Sequence, residues 1–235
     1  MKLKKEINIV SFSGGKDSTA MLLMMIEKNM KIDEIIFLDT GVEFPQMYNH
    51  IKKVEMFINR PITILKSDKS FEYYMFDHIK SRGKNKGQKG YSWSDFRNRW
   101  CTSRLKKDVI KKYLKKYKGY NIIEYHGIAY DEPKRIKDTP NIKYPLYENK
   151  ITEREALQYC YSKGFNWNGL YEKFDRLSCW CCPLKSIKEL KILYNDFPEL
   201  WKKLKQWDNN TYRRFRSDYS VQELEERFKK ENNNE

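Results

Sequence analysis

The stretch Ile7-Asn8-Ile9-Val10-Ser11-Phe12-Ser13-Gly14-Gly15-Lys16-Asp17-Ser18-Thr19-Ala20-Met21-Leu22 decides the fold. Its first six residues form a short apolar, β-branched run, the pattern of a buried strand. A Ser-Gly-Gly turn follows. Ala20, Met21, Leu22, Met24, Met25 and Ile26 then give a helix over 18–29 a heavily buried face. A strand that turns through glycines into a helix gathers backbone N–H groups at the positive end of the helix dipole, which is an anion site. Gly14 and Gly15 admit close approach, Lys16 adds charge, and the hydroxyls of Ser13, Ser18 and Thr19 can donate to phosphate oxygens. The spacing is not that of a Walker loop, G-x-x-x-x-G-K-[ST].

Working outward, 33–39 reads as a second strand, 46–59 as a second helix and 61–65 as a third strand. Strand, helix, strand, helix, strand at these lengths predicts an α/β fold, a Rossmann-like open parallel sheet with helices on both faces. Residues 81–90 hold three glycines and four Lys or Arg without a long apolar run, the pattern of a mobile surface loop. Beyond it come a helix over 105–117, a strand over 120–125 ending at His126-Gly127, and a helix over 152–162 opened by the capping pattern Thr152-Glu153-Arg154-Glu155. Two further helices, over 187–206 and 221–230, precede a polar tail at 231–235 expected to fray. The expected organisation is a nucleotide-binding domain over 1–150 with a basic insertion at about 80–118. A cysteine-containing and helical extension over 151–235 packs on it.

The chain has 235 residues and a net charge of +15. Between Lys80 and Lys118 fifteen Lys and Arg stand against Asp95 and Asp108, so this segment carries +13 of that charge. Such a field draws phosphate-bearing partners. Tyr91, Trp93, Phe96 and Trp100 are interleaved with it and could stack on bases or anchor the loop to a core. No apolar run is long enough for a membrane span or signal peptide, so no membrane partner is expected and the expected compartment is the cytoplasm. In that compartment thiols stay reduced, and five cysteines point to metal or redox chemistry. Cys179 and Cys182 form a C-x-x-C pair, and with Cys101 they can converge on an iron–sulfur cluster or a zinc ion. Cys160, inside the 152–162 helix, or Cys181 could supply a fourth ligand, or a cluster could keep one iron open. His126 stands at a strand end where a general base or a structural histidine would sit.

The string Ser13 to Thr19 resembles the PP-loop of the adenine nucleotide alpha hydrolases, and the phosphoadenosine phosphosulfate (PAPS) reductase family in particular. Phe37-Leu38-Asp39-Thr40-Gly41 with Glu43-Phe44-Pro45, Trp100-Cys101 with Lys106-Lys107, Gly127-Ile128 with Asp131-Glu132 and Arg135, and Cys179-Trp180-Cys181-Cys182-Pro183 follow in the family's order. Carried over by position, the resemblance implies that Ser13, Gly14, Gly15, Asp17 and Ser18 hold the phosphates of ATP or PAPS, with Asp17 near Mg²⁺ if ATP is bound. It also implies that Asp39 and Gly127 lie at strand ends beside the adenosine. Arg135 is a candidate clamp for a terminal phosphate or sulfate, and Lys16, Asp17 and Arg135 form the candidate catalytic set. In adenylyl-sulfate reductases of the family a Cys-Cys pair precedes the C-x-x-C and all four bind a [4Fe–4S] cluster. Here Trp100 replaces the first of the pair.

Thioredoxin-dependent PAPS reductases carry a late nucleophilic cysteine, and nothing after Cys182 is a cysteine here. The expectation is therefore an AMP-forming ATP pyrophosphatase in sulfur transfer to nucleic acid, similar to tRNA thiolation or DNA phosphorothioation enzymes. Such chemistry calls for a sulfur donor such as a cysteine desulfurase. A PAPS or adenylyl-sulfate reductase using an external reductant, and a non-catalytic nucleotide- or nucleic-acid-binding module, are the alternatives.

Overall fold

The computed structural model describes residues 5–233. In chain order its strands are β1 (Glu6–Ser11), β2 (Glu34–Asp39), β3 (Thr63–Lys66), β4 (Asn121–His126) and β5 (Ile142–Lys143). The helices are α1 (Lys16–Glu27), α2 (Pro45–Ile58), α3 (Trp100–Thr102), α4 (Asp108–Tyr113), α5 (Pro145–Glu148), α6 (Glu153–Ser162), α7 (Leu170–Lys173), α8 (Ile187–Asp196), α9 (Pro198–Asn209) and α10 (Val221–Asn232). The chain divides into two compact units, both discontinuous. One comprises 1–39, 44–66 and 109–177, and the other 40–43, 67–108 and 178–235. This differs from a boundary at residue 150, because the segment after β3 leaves the sheet unit and the chain returns to it at 109. Among the described residues no helix is long and apolar enough to cross a membrane.

The first unit is a parallel sheet of order β3-β2-β1-β4-β5. In β1 the four residues Ile7 to Val10 are buried between two exposed ends, as a central strand covered on both faces requires. Asn8 is the polar exception, and its groups are satisfied by Asp33 and by the Tyr125 hydroxyl. Successive strands leave β1 on opposite sides, β2 on one and β4 on the other. This is the switch point beside which open α/β sheets place ligands at the carboxyl ends of strands. Nearly all of α1 from Ser18 to Met25 is buried, and α6 packs along it behind the expected capping box between Thr152 and Glu155. The helix expected over 105–117 begins earlier. Helical turns run from Trp100 to Tyr117 through a π-helical turn at Ser103–Lys107.

In the second unit the helices α8, α9 and α10 enclose Trp201, Trp207, Phe215 and Phe228, and α8 and α10 each open with a Ser-Glu capping box. Trp93 is buried with them, its Nε1 donating to Asp208 Oδ1 at 2.8 Å and its ring edge-on to Phe215. The single helix expected over 187–206 is two helices, because Pro198 has no N–H to donate and disfavours helical geometry at Phe197. The tail expected to fray is helical as far as Asn232, with Arg227 donating to Glu231 one turn away. Residues 234–235 lie outside the described residues.

His50, which carries no sequence signal, is buried in the first unit between Thr19 and Trp167. Its Nε2 lies 3.0 Å from Thr19 Oγ1 and its ring stacks on Trp167 at 4.3 Å. Burial, aided by Lys53, holds its pKa down at about 3. Above pH 6.5 it is neutral in folded and unfolded chains alike. Below that pH the unfolded chain takes up a proton that the folded one refuses, so stability is lost as pH falls toward 3. Going from pH 7 to 4.5 should remove about 2–3 kcal/mol through this group. His50→Gln should flatten that part of the pH dependence, read from urea midpoints at the two pH values. A variant with the parent's pH dependence would show that another group is responsible.

Candidate nucleotide site and thiol group

The phosphate loop lies between β1 and α1, where the sequence places it. Gly14 adopts φ +77°, a left-handed conformation open to glycine, and Gly15 is the N-cap of α1. The hydroxyls form a chain in which Ser18 Oγ accepts from Ser13 N at 3.1 Å, lies 2.9 Å from Ser13 Oγ and donates to Gly15 O at 3.1 Å. Gly127, just past β4, faces the start of α1. A Cβ there would stand 2.7 Å from the Ser18 backbone, so no larger residue lets the strand end and helix end meet. Asp39 ends β2 with its carboxylate buried, held by Lys66 Nζ at 2.8 Å and by the Tyr48 hydroxyl.

Lys16 does not project into open space. It is buried and its Nζ makes an ion pair with Glu153 at 2.8 Å and a longer one with Asp17 at 3.8 Å. Asp17, Glu132 and Glu153 each bring one carboxylate oxygen within 4.8 Å of the others, the one such group of three among the described residues. Asp17 Oδ1 is buried without a hydrogen-bond partner. Burial pushes the Asp17 carboxyl up to about 6, with Lys16 opposing the rise and Glu153 and Glu132 adding to it. Hard oxygens with an unsatisfied buried member fit Mg²⁺, so these three residues could hold it. Arg135, on the turn Pro133–Arg135, is bound to Glu132, and Arg176 reaches the same carboxylate at 2.9 Å. No motif in the sequence marks Arg176.

Three groups from the segment 160–171 grip the loop from outside the motif. Trp167 Nε1 donates to Gly14 O at 2.7 Å, Lys16 N donates to the Tyr171 hydroxyl at 2.7 Å, and Cys160 Sγ donates to Lys16 O at 3.5 Å. Trp167, Asn168 and Gly169 all have positive φ, a strained run that turns Tyr171 onto the loop. Tyr171 thus caps the first N–H of α1, a donor that an anion would use. Cys160, expected as a metal ligand, is a buried thiol of this sheet unit, its pKa raised by burial and by Asp17.

The other four cysteines all belong to the second unit. Cys101 sits in α3, its Sγ donating to Ser94 Oγ at 3.7 Å. Cys179 Sγ lies 3.6 Å from Thr40 Oγ1 and 3.8 Å from Glu43 Oε1, and Thr40 donates to Glu43 at 2.9 Å. Burial and then the Glu43 carboxylate drive the Cys179 pKa up. Burial and the neighbouring thiols Cys179, Cys182 and Cys101 do the same for Cys181. A metal cation reverses that balance, since thiolate ligands are deprotonated on binding. The structure does not bring any three of these thiols within 4.8 Å of one another among the described residues, so the expected convergence of Cys101, Cys179 and Cys182 is not formed here and only the residue type suits a thiolate-bound metal. The turn is pinned from its far side by Arg216, whose Nη1 donates to Pro183 O at 2.9 Å and Lys185 O at 2.6 Å. Trp100, at the position of the missing cysteine, is buried with its Nε1 on Ser92 O, and it stacks on Tyr91. Of the four aromatics interleaved with the basic segment, Trp93 and Trp100 are core and Phe96 is 71% exposed.

The fold is a five-stranded parallel α/β sheet with a glycine-containing loop between β1 and α1, as in the adenine nucleotide alpha hydrolase superfamily. More narrowly, the chain belongs to the phosphoadenosine phosphosulfate reductase domain family, whose model matches residues 7–185. It is similar to an uncharacterized nin region protein of Escherichia phage lambda, 31% identical over 215 residues that cover 81% of this chain and 70% of the phage protein. It also resembles two uncharacterized proteins of Methanocaldococcus jannaschii. One is 29% identical over 88% of this chain and 42% of the relative, the other 32% identical over 82% and 45%. The chain therefore spans less than half the length of those two. Among solved structures, phosphoadenylyl-sulfate reductase from Candida auris aligns with a TM-score of 0.46 at 15% identity, covering 73% of this chain and 78% of that one. The U34-tRNA thiolase NcsA from Methanococcus maripaludis, solved with its [4Fe-4S] cluster, aligns with 0.44 at 14%, covering 88% and 73%.

Replacing Tyr171 by Phe should uncap Lys16 N in the free protein. Unliganded stability then falls by about 1 kcal/mol, and affinity for an adenine nucleotide rises up to roughly tenfold because the ligand no longer competes with the hydroxyl. Calorimetry checks this, and a weakened affinity would mean that the hydroxyl touches the ligand instead.

Proposed function

We propose that this chain cleaves ATP between its α and β phosphates and uses the resulting adenylate for sulfur transfer to nucleic acid. What supports ATP over a sulfonucleotide is the carboxylate group Asp17, Glu132 and Glu153 beside the phosphate loop, since three acids facing an anion site call for a cation and a polyphosphate together. Asp17, Glu132 and Glu153 would hold Mg²⁺, whose chemistry there would be to offset negative charge on the leaving pyrophosphate. The protein's own part is positional and electrostatic. Ser13, Gly15 and Ser18 donate to phosphate oxygens, Lys16 balances the carboxylates, and Arg135 and Arg176 are the guanidiniums available to the departing group.

In chemical terms an acceptor oxygen attacks the α phosphorus, the bond to the β-phosphate oxygen breaks, and pyrophosphate leaves. Sulfur at the hydrosulfide level then bonds to the acceptor carbon and expels AMP with the original oxygen. Cys101, Cys179 and Cys182 are the residues that would hold a [4Fe–4S] cluster, whose chemistry when bound would be the delivery of hydrosulfide-level sulfur. The acceptor reading rests on the +13 segment. A PAPS or adenylyl-sulfate reductase with an external reductant is the reading that a different substrate preference would favour.

With α-labelled ATP, Mg²⁺, a sulfide source and unmodified tRNA as acceptor, AMP and pyrophosphate should form in equal amounts, and Asp17→Asn should lower the rate roughly 10²-fold or more. Turnover of PAPS to sulfite in place of ATP cleavage would install the reductase. Anaerobically purified protein should be brown, and Cys101→Ser or Cys182→Ser should bleach it. Metal content showing zinc alone would keep the thiolate site and remove its sulfur-carrying role.

A further inference from the structure

The segment 80–90, Lys-Ser-Arg-Gly-Lys-Asn-Lys-Gly-Gln-Lys-Gly, has five cations and no acid. In the structure it closes on itself. Lys80 N donates to Gln88 O, Gly87 N to Lys80 O and Lys86 N to Gly83 O, and Ile79 bridges Lys89 antiparallel. Its base is fixed against the π-helical turn Tyr73–Asp77, where a Cβ on Gly90 would stand 2.2 Å from Met75 O. Tyr91, the next residue, is packed among His78, Tyr74 and Trp100. The loop and this aromatic base enclose an open cavity of about 560 Å³ into which Lys80, Arg82, Lys84 and Arg104 converge, with Tyr91 and Asn98 also in its wall. No carboxylate lines it among the described residues.

Two of the four cations are already placed. Lys80 Nζ donates to Gln88 Oε1 at 2.9 Å, and Arg104 donates to the Tyr91 hydroxyl at 3.3 Å and to Asp108 at 3.0 Å. Arg82 and Lys84 are exposed and make no ion pair among the described residues. By contrast, in the basic cavity beside Pro183 three of the four lining arginines are neutralised, Arg213 by Asp95, Arg214 by Glu223 and Arg216 by Asp218. Like charges gathered in one concavity repel one another, and an anion with several charges relieves that repulsion.

We infer that this basic loop is a phosphodiester cradle that grips the backbone of the single-stranded part of a nucleic-acid acceptor. The inference rests on the sulfur-transfer reading and names where that reading's acceptor is held. Four of the nine residues in the wall are cations, groups that meet phosphate oxygens alike at every position of a strand. The wall therefore positions the strand without reading its sequence. The rest of the basic segment differs. The helical lysines Lys111, Lys115 and Lys118 line a different, shallower surface of the sheet unit with Ile110, Leu114 and Tyr117.

The test uses the full chain and a labelled single-stranded DNA and an unmodified tRNA, titrated at several salt concentrations. The variant is Arg82→Gln with Lys84→Gln, and the control is Lys188→Gln with Lys202→Gln, two exposed lysines of the same unit outside the cavity. Each lost phosphate contact should lower the log–log salt slope by about 0.7, so the cradle variant should bind with a slope shallower by about 1.4 and by the same amount on every sequence tried. The control should keep the parent's slope. Equal effects of variant and control, an unaltered slope in the variant, or a parent that binds neither probe would each overturn the cradle. ATP cleavage measured alongside at saturating acceptor should be unchanged in both variants. Loss of that activity in the parent, with binding intact, would instead sink the sulfur-transfer reading and leave the cradle standing.

Discussion

The close approach of the end of β4 to the start of α1 governs the nucleotide unit. Gly127 sits where a single added carbon would come within 2.7 Å of the Ser18 backbone, so strand and helix meet at atomic contact. That contact sets the α1 N-terminus at the carboxyl end of the central strand pair, where β1 and β4 run side by side with Ser11 opposite His126. The N–H groups and hydroxyls of the loop then face the switch point of the sheet, and an anion site results from backbone geometry before any charged side chain is counted.

Charge at this site is arranged in opposition. Lys16 is buried against Glu153, Arg135 and Arg176 share Glu132, and Asp17 is left with an unsatisfied oxygen and a carboxyl whose pKa has risen to about 6. A phosphate loop that bound bare anions would gain nothing from three carboxylates beside it. Their presence makes sense for a site that takes a metal ion and a polyphosphate together, each offsetting the other's charge. The segment carrying Trp167 and Tyr171 supplies the other half of the arrangement, satisfying Gly14 O and Lys16 N in the absence of any ligand.

The second unit joins Thr40 and Glu43, the region 67–108 and everything from 178 onward into one body. Its tryptophan-rich helices do more than close a core. Arg216 spans from the loop before α10 to the carbonyls of Pro183 and Lys185, so the turn carrying Cys179, Cys181 and Cys182 is held by residues far along the chain. Thiols buried this way are poor acids until a metal takes the proton's place.

By itself the sequence determined the local machinery. The order of strands and helices, the capping boxes, the Ser13–Thr19 loop and the cysteine spacing are short-range patterns in which each residue's role depends on neighbours a few positions away. The expected single helix over 187–206 missed the break at Pro198, although proline acts on its own turn. What tertiary structure alone decided depends on contacts across long stretches of chain. Glu132, Glu153 and Asp17 come together from three separate parts of the chain, and Tyr171 reaches the loop and Arg176 reaches Glu132 without any motif. Cys160 belongs to the sheet unit, where α6 packs on α1, and the other four thiols belong to the second unit, in which Trp93 and Trp100 turn inward while Phe96 remains outside. Periodicity reports which face of an element is buried, but not which distant side chain meets it there, because that is set by packing of whole elements rather than by the spacing within one.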